Sequence, residues 1–239
     1  MNDKNQGNQV VDDDMMVFKR SYVYAILLPL AFLLGLASGF LLWGKEGTTP
    51  TASVPTVTTA PVVQTTPQRF DVSADDDPYL GPEDASVVII EFSDFNCGYC
   101  GKWYRENLQA ILDRYPEQVR FVYRDFPMLA ESSITAAQAA QCANEQNAFW
   151  EFHNAFFTRD DPKNLESYLL LAEEFNLDID KFTECYESDR SYEEVENDAR
   201  TGASVGVGGT PTFFINGFIL VGAQPLENFI AVIEQELNQ

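Results

Sequence analysis

The sequence predicts an α/β head built as a βαβ unit, a block of helices and a closing ββα unit. A single N-terminal membrane helix and a Thr/Pro-rich linker precede it. Three observations lead there. The β-branched apolar run "SVVIIEFSDF" ends just before a Cys-x-x-Cys pair that opens a helical stretch. From about residue 131 to 204 the text turns Ala-rich and sets Phe149, Phe152 and Phe156 at helical spacing. Then "VGGTPTFFING" supplies glycines, a proline and a short aromatic strand that ends in an Asn-Gly turn.

The elements follow in order. Residues 22–43, "YVYAILLPLAFLLGLASGFLLW", are uncharged and about long enough to span a bilayer as a helix. Lys19 and Arg20 precede them, so the positive-inside bias places residues 1–21 in the cytoplasm and the head outside. Tyr22, Tyr24 and Trp43 stand where interfacial aromatics stand. A cleaved signal peptide is the rival reading, but the apolar run continues past the small residues of "LASG". Gly35 and Gly39 have G-x-x-x-G spacing, which plain helix periodicity also explains. Residues 44–68 contain 8 Thr and 4 Pro, the composition of an extended spacer reaching up to about 80 Å. The expected layout is tail 1–21, anchor 22–43, linker 44–68 and head 69–239, with the helical insertion at about 128–204.

Within the head, the first strand carries Glu91 where a hydrophobe is expected, and a buried acid without a partner is costly. "GKWYRENLQAILDRY" reads as a helix with Trp103, Leu108, Ile111 and Leu112 on its apolar face. "QVRFVYRDF" alternates Val119, Phe121 and Tyr123 against polar neighbours, which is strand period. "NLESYLLLAEEF" and "DIDKFTECYESD" read as further helices, "FILVGA" as the returning hairpin strand. "PLENFIAVIEQEL" places Leu226, Phe229, Ile230, Ile233 and Leu237 on one helical face. Formal net charge is -22, nearly all of it after residue 68, so nucleic acid is not an expected partner.

All four cysteines follow the anchor, in a compartment that tolerates disulfides. Four cysteines allow three pairings. Zinc needs four ligands, and the chain offers no second Cys-x-x-Cys and one histidine, His153, so no metal is expected. A staple between Cys97 and Cys100 would close too small a loop to constrain the unfolded chain much. A redox couple fits better: free N–H groups and the dipole at a helix N-terminus lower a cysteine pKa, making Cys97 a nucleophile and a good leaving group. His153, amid "FWEFHNAFF", reads as a packing or helix-surface histidine.

The head resembles the DsbA-like thiol:disulfide oxidoreductases, a thioredoxin-like fold with an inserted α-helical domain, and in particular the BdbD-like membrane-anchored branch. The residues that carry the resemblance are "DDDPYLGPEDASVVIIEFSDFNCGYC", "VRFVYRDFPM", "CANEQNAFWEFHNAFF" and "GVGGTPTFFINGF". It implies that Cys97 is the exposed attacking thiol and Cys100 the buried resolving one. Thr210 and Pro211 would form a cis-proline loop beside them, offering backbone to an extended substrate, with Gly98 and Tyr99 as neighbours. Glu91 would be the acid that moves protons to and from Cys100. Cys142 and Cys185 match a structural disulfide of the helical insertion. The sequence departs from the family's oxidases in carrying Gly98-Tyr99 where these often have Pro-His.

The resemblance thus implies an extracytoplasmic thiol oxidase that introduces disulfide bonds into reduced secreted or envelope proteins, with no cofactor of its own. A membrane quinone oxidoreductase, DsbB-like or VKOR-like, would reoxidise it. A reductase or isomerase of the same fold is the first alternative. The second, from a different class, is a stalked binding or chaperone module whose disulfides are structural.

Overall fold

The computed structural model describes Phe32, Leu33 and residues 68–239. Apart from Phe32 and Leu33, the expected tail, anchor and linker therefore lie outside the described residues. Among the described residues no helix is long and apolar enough to cross a membrane.

The head holds one five-stranded sheet. Its strands are β1 (Tyr79–Leu80), β2 (Val87–Ser93), β3 (Val119–Asp125), β4 (Thr212–Ile215) and β5 (Phe218–Val221), in the spatial order β1-β3-β2-β4-β5. The pair β2–β3 is parallel, and the other three pairs are antiparallel. Between β2 and β3 run α1 (Gly98–Trp103), a π-helical stretch (Tyr104–Leu108) and α2 (Gln109–Arg114). Five helices follow β3: α3 (Glu131–Asn144), α4 (Phe149–Thr158), α5 (Leu165–Glu174), α6 (Ile179–Glu187) and α7 (Asp189–Ser204). The chain ends in α8 (Leu226–Leu237).

β2 is central because it is apolar on both faces. Side chains of successive strand residues point to opposite faces. Val87, Ile89, Glu91 and Ser93 look toward α1, Trp103 and the helical insertion, while Val88, Ile90 and Phe92 look the other way. That second face is closed by Phe70, Val72, Ala74, Val205 and Val207, and by Gly202 of α7. A Cβ at Gly202 would come within 2.9 Å of Phe92 and 2.8 Å of Phe126, so only glycine lets α7 lie this close.

This second cover corrects one expectation. The alternation in β3 implied a polar outer face, yet Val122 and Arg124 on that face are buried, as are Val119, Phe121, Tyr123 and Asp125 on the other. Arg124 faces Asp198 of α7, 74 residues away, which strand periodicity cannot register. The Ala-rich start of the helical block and its Phe149, Phe152 and Phe156 stripe lie on two separate helices. Asn147 sits at φ 61, a left-handed value that asparagine tolerates, and turns the chain between α3 and α4. The hairpin turn is Asn216-Gly217, both at positive φ. Gly217 is required there for a second reason, since a Cβ would lie 2.4 Å from the Phe70 carbonyl oxygen.

Candidate active site

The loop from β2 into α1 is built by Asp94. Its buried carboxylate accepts hydrogen bonds from the backbone N–H groups of Asn96 (2.8 Å), Met128 (2.9 Å) and Leu129 (3.0 Å). Asn96 in turn donates to Ser132 and Ser133 at the start of α3. One acid and one amide thus fasten the Cys-x-x-Cys loop to the entry of the helical insertion. Neither was singled out in the sequence, although Asp-x-Asn before a helix is a turn signal.

Cys97 is the N-cap residue of α1 (φ -82, ψ 111) and accepts the first intrahelical bond from Gly101 N–H at 3.1 Å. Both Cys97 and Cys100 are free thiols. Cys97 is not open to solvent as expected: the residue is 7% exposed, because the 208–211 loop lies over it. The Cys97 Sγ is 3.3 Å from the Thr210 carbonyl oxygen, and the Thr210–Pro211 bond is cis. Thr212 Oγ1 donates to Gly209 O at 2.7 Å and holds this loop shut. Gly98 and Tyr99 are exposed, Tyr99 at 69%. A Cβ at Gly98, Gly208 or Gly209 would meet nothing within 4 Å, so the fold itself does not demand glycine at these positions.

The two thiols differ sharply. The Cys97 thiol is pulled down to about 5, first by the Cys100 thiol that hydrogen-bonds its thiolate, then by Thr210 and the backbone N–H groups of Cys100 and Tyr99, against the opposing effect of burial. Cys100 is fully buried, and burial pushes its thiol well up, helped by its bond to Cys97 and by the charge of Glu91. Glu91, 1% exposed, is pushed up to about 8 by burial, although Ser93 Oγ donates to its Oε1 at 2.9 Å. Directly opposite Glu91 on β3 stands Tyr123, stacked on Phe95 with ring centroids 5.0 Å apart. Its buried hydroxyl has no hydrogen-bond partner. The structure therefore gathers Glu91, Cys97, Cys100, Thr210 and Pro211 into one place. Ser93 and Tyr123 join them as residues that sequence reasoning passed over.

Cys142 of α3 and Cys185 of α6 are joined in a disulfide with Cα atoms 5.6 Å apart. His153 is a packing residue, with none of its surface exposed. It is ringed by Phe95, Tyr104, Tyr123, Phe149, Trp150 and Phe157, and burial pulls it down to about 4. Among the described residues the carboxylates that come within 4.8 Å of one another are those of Asp77, Glu194 and Asp198. Arg124 already lies among them, paired with Asp77 and Asp198.

A sequence model of the thioredoxin family matches residues 73–235. Among solved structures, the oxidised form of BdbD from Bacillus subtilis superimposes with a TM-score of 0.65 at 22% identity, covering 72% of this chain and 98% of that one. A thioredoxin-like oxidoreductase from Silicibacter pomeroyi gives a TM-score of 0.63 at 28% identity over 68% of this chain and 93% of that one. In sequence the chain is 35% identical over 148 residues to the Na(+)/H(+) antiporter NhaA 3 of Salinispora tropica, which is 61% of this chain and 22% of the antiporter. The chain spans about a quarter of the length of the curated relatives it matches.

Proposed function

Because this chain belongs to the thioredoxin family, with the helical insertion of its DsbA-like members, we propose that it is a thiol:disulfide oxidoreductase working as an oxidase. One observation carries the reading: a nearly enclosed thiol at a helix N-terminus, pulled down to about 5, sits over a fully buried thiol that is pushed up. A stable Cys97 thiolate favours the reduced protein, and a protein that prefers to be reduced is an oxidant toward others.

In the oxidised protein, a substrate thiolate attacks Cys97 Sγ. The Cys97–Cys100 bond breaks, a mixed disulfide forms through Cys97, and Cys100 leaves with the electron pair and takes up a proton. The second substrate thiolate then attacks the substrate sulfur of the mixed disulfide, and Cys97 departs as its stabilised thiolate. The substrate has lost two electrons and the protein has gained them. Open space around Gly98, Gly208 and Gly209 supports close approach of an extended substrate backbone along the Thr210–Pro211 loop. The exposed Tyr99 offers it an apolar contact.

We place the head outside the cytoplasm, tethered by residues 22–43, acting on reduced secreted or envelope proteins and reoxidised by a DsbB-like or VKOR-like membrane quinone oxidoreductase. The charge asymmetry around 22–43 and the disulfide Cys142–Cys185 support this. Similarity to stretches of proteins named as Na(+)/H(+) antiporters also supports a membrane setting.

The test is the reduction potential of the Cys97–Cys100 pair, by equilibration with glutathione and thiol labelling. A value of about -120 to -180 mV supports the oxidase. A value near about -270 mV, as in thioredoxin, turns the assignment to a reductase.

A further inference from the structure

Glu91 and Cys100 are both buried, and Cys100 must gain a proton whenever the dithiol is reduced and lose one whenever it is reoxidised. Bulk water has little access to either group. Ser93 stands between them. It follows Glu91 by two residues in β2, so both side chains leave the same face of the sheet, the face that packs against α1. Its residue is 1% exposed, a polar side chain buried beside Val87, Ile89, Trp103 and Phe213. Its hydroxyl donates to Glu91 Oε1 at 2.9 Å and lies near enough to Cys100 to favour the thiolate there against burial. No other side chain hydrogen-bonds Glu91 among the described residues.

We propose that the Ser93 hydroxyl is the positioning residue that joins Glu91 to Cys100 and relays the proton between them. The inference rests on the exchange reaction proposed above. When substrate attack breaks the Cys97–Cys100 bond, the Cys100 thiolate takes the Ser93 hydroxyl proton, and Ser93 is reprotonated by the neutral Glu91 carboxyl. Glu91 is left as the carboxylate, which later regains its proton from solvent as the site opens. Reoxidation runs the same path backward: Cys100 gives up its proton through Ser93 to Glu91, and its thiolate closes the disulfide onto Cys97. One proton moves each way, and the electrons travel only through sulfur. A hydroxyl suits this role because it donates and accepts at once. A second carboxylate or amine there would carry charge into the core.

The experiment is a double-mutant cycle on the full-length chain. Oxidised wild type, Ser93→Ala, Glu91→Gln and the double variant are reduced by a dithiol peptide across pH, with reduction followed by thiol labelling. Ser93→Thr, which keeps a hydroxyl, is run beside them. Ser93→Ala is expected to slow reduction on the order of tenfold and to flatten the limb of the pH profile that Glu91 sets. Ser93→Thr should restore both, and Ser93→Ala should add nothing in the Glu91→Gln background. A wild-type profile in Ser93→Ala, or losses that multiply in the double variant, would overturn the relay. The alkylation profile of Cys97 separates the two levels. If Cys97 is reactive and wild type is reduced by the peptide, the exchange reading stands and only the relay is at stake. If wild type itself exchanges nothing, the relay falls together with the reading on which it rests.

Discussion

The carbonyl oxygen of Thr210 lies 3.3 Å from the sulfur of Cys97, across 113 residues of sequence. The contact brings a loop ahead of β4 against the N-terminus of α1, so a backbone carbonyl lies over the reactive sulfur. It explains how Cys97 can be nearly enclosed and still reachable: a peptide bound along the loop would extend the cover. The Thr210 side chain also helps hold the thiolate.

The first expectation follows from that environment. Alkylation of the reduced protein should modify Cys97 alone, with a half-point near pH 5, while Cys100 stays unmodified until the protein is denatured. Thr210→Val should move the half-point upward by removing one stabilising side chain. Mass spectrometry of alkylated peptides across pH gives the answer, and equal labelling of both cysteines in the native protein would contradict the asymmetry.

Glu91 sets a pH dependence of stability. Its carboxyl is raised from an ordinary 4.5 to about 8, mainly by burial, so the folded protein holds this proton after the unfolded chain has released it. Stability from this site is complete below about pH 4.5 and falls as pH rises toward 8. Glu91→Gln should therefore be more stable than wild type by about 3 kcal/mol at pH 7. The gain should vanish near pH 4 and level off above pH 8. Urea midpoints for the pair across pH measure it, and two parallel curves would count against a buried neutral acid.

What the sequence made legible was local. The strand β2, the Cys-x-x-Cys at a helix start and the Asn216-Gly217 hairpin are written in neighbouring residues, and each is found where its pattern lies. Glu91 was conspicuous because it broke an apolar run. Ser93 was not, since a serine at the end of a strand looks like ordinary punctuation; its meaning depends on α1 packing over it. Arg124 looked like part of the polar side of an alternating strand for a related reason. Its partner Asp198 comes from α7 of the insertion, and only the tertiary fold turns a solvated face into a second core. The burial of Cys97 is likewise a matter of the distant Thr210 loop.

The disulfide Cys142–Cys185 closes 43 residues and ties α3 to α6 within the helical insertion. Crosslinking a loop of that length restricts the unfolded chain by about 4 kcal/mol in the entropy model. A Cys142→Ala, Cys185→Ala variant should lose about 3–4 kcal/mol of stability and keep the alkylation profile of Cys97, because neither sulfur reaches the active site. Chemical denaturation and the alkylation assay, run on the same preparation, check both halves. A changed Cys97 profile would assign the bridge a regulatory part instead.

Arg124 is the last case, and the largest effect expected. It is 2% exposed, at the end of β3, and its guanidinium meets two buried carboxylates. Nε donates to Asp198 Oδ1 at 2.7 Å and lies 2.9 Å from Asp77 Oδ2, while Nη1 donates to Ser73 O at 3.0 Å. Asp198 also accepts the backbone N–H of Asp125 at 2.8 Å, so α7 is fastened to the edge of β3 by one acid. Burial and the Asp198 charge push Asp77 up, which means that a single cation serves a pair of acids that resist being charged together. Arg124→Met keeps the unbranched apolar stem and removes the charge. It leaves Asp198 without its counter-ion, and breaking a buried pair in this way costs about 3–5 kcal/mol. Replacing all three, with Asp77→Asn and Asp198→Asn added, should recover much of that loss because no uncompensated charge remains. Urea denaturation of the single and triple variants decides it: a single variant as stable as wild type would mean that Arg124 contributes packing alone.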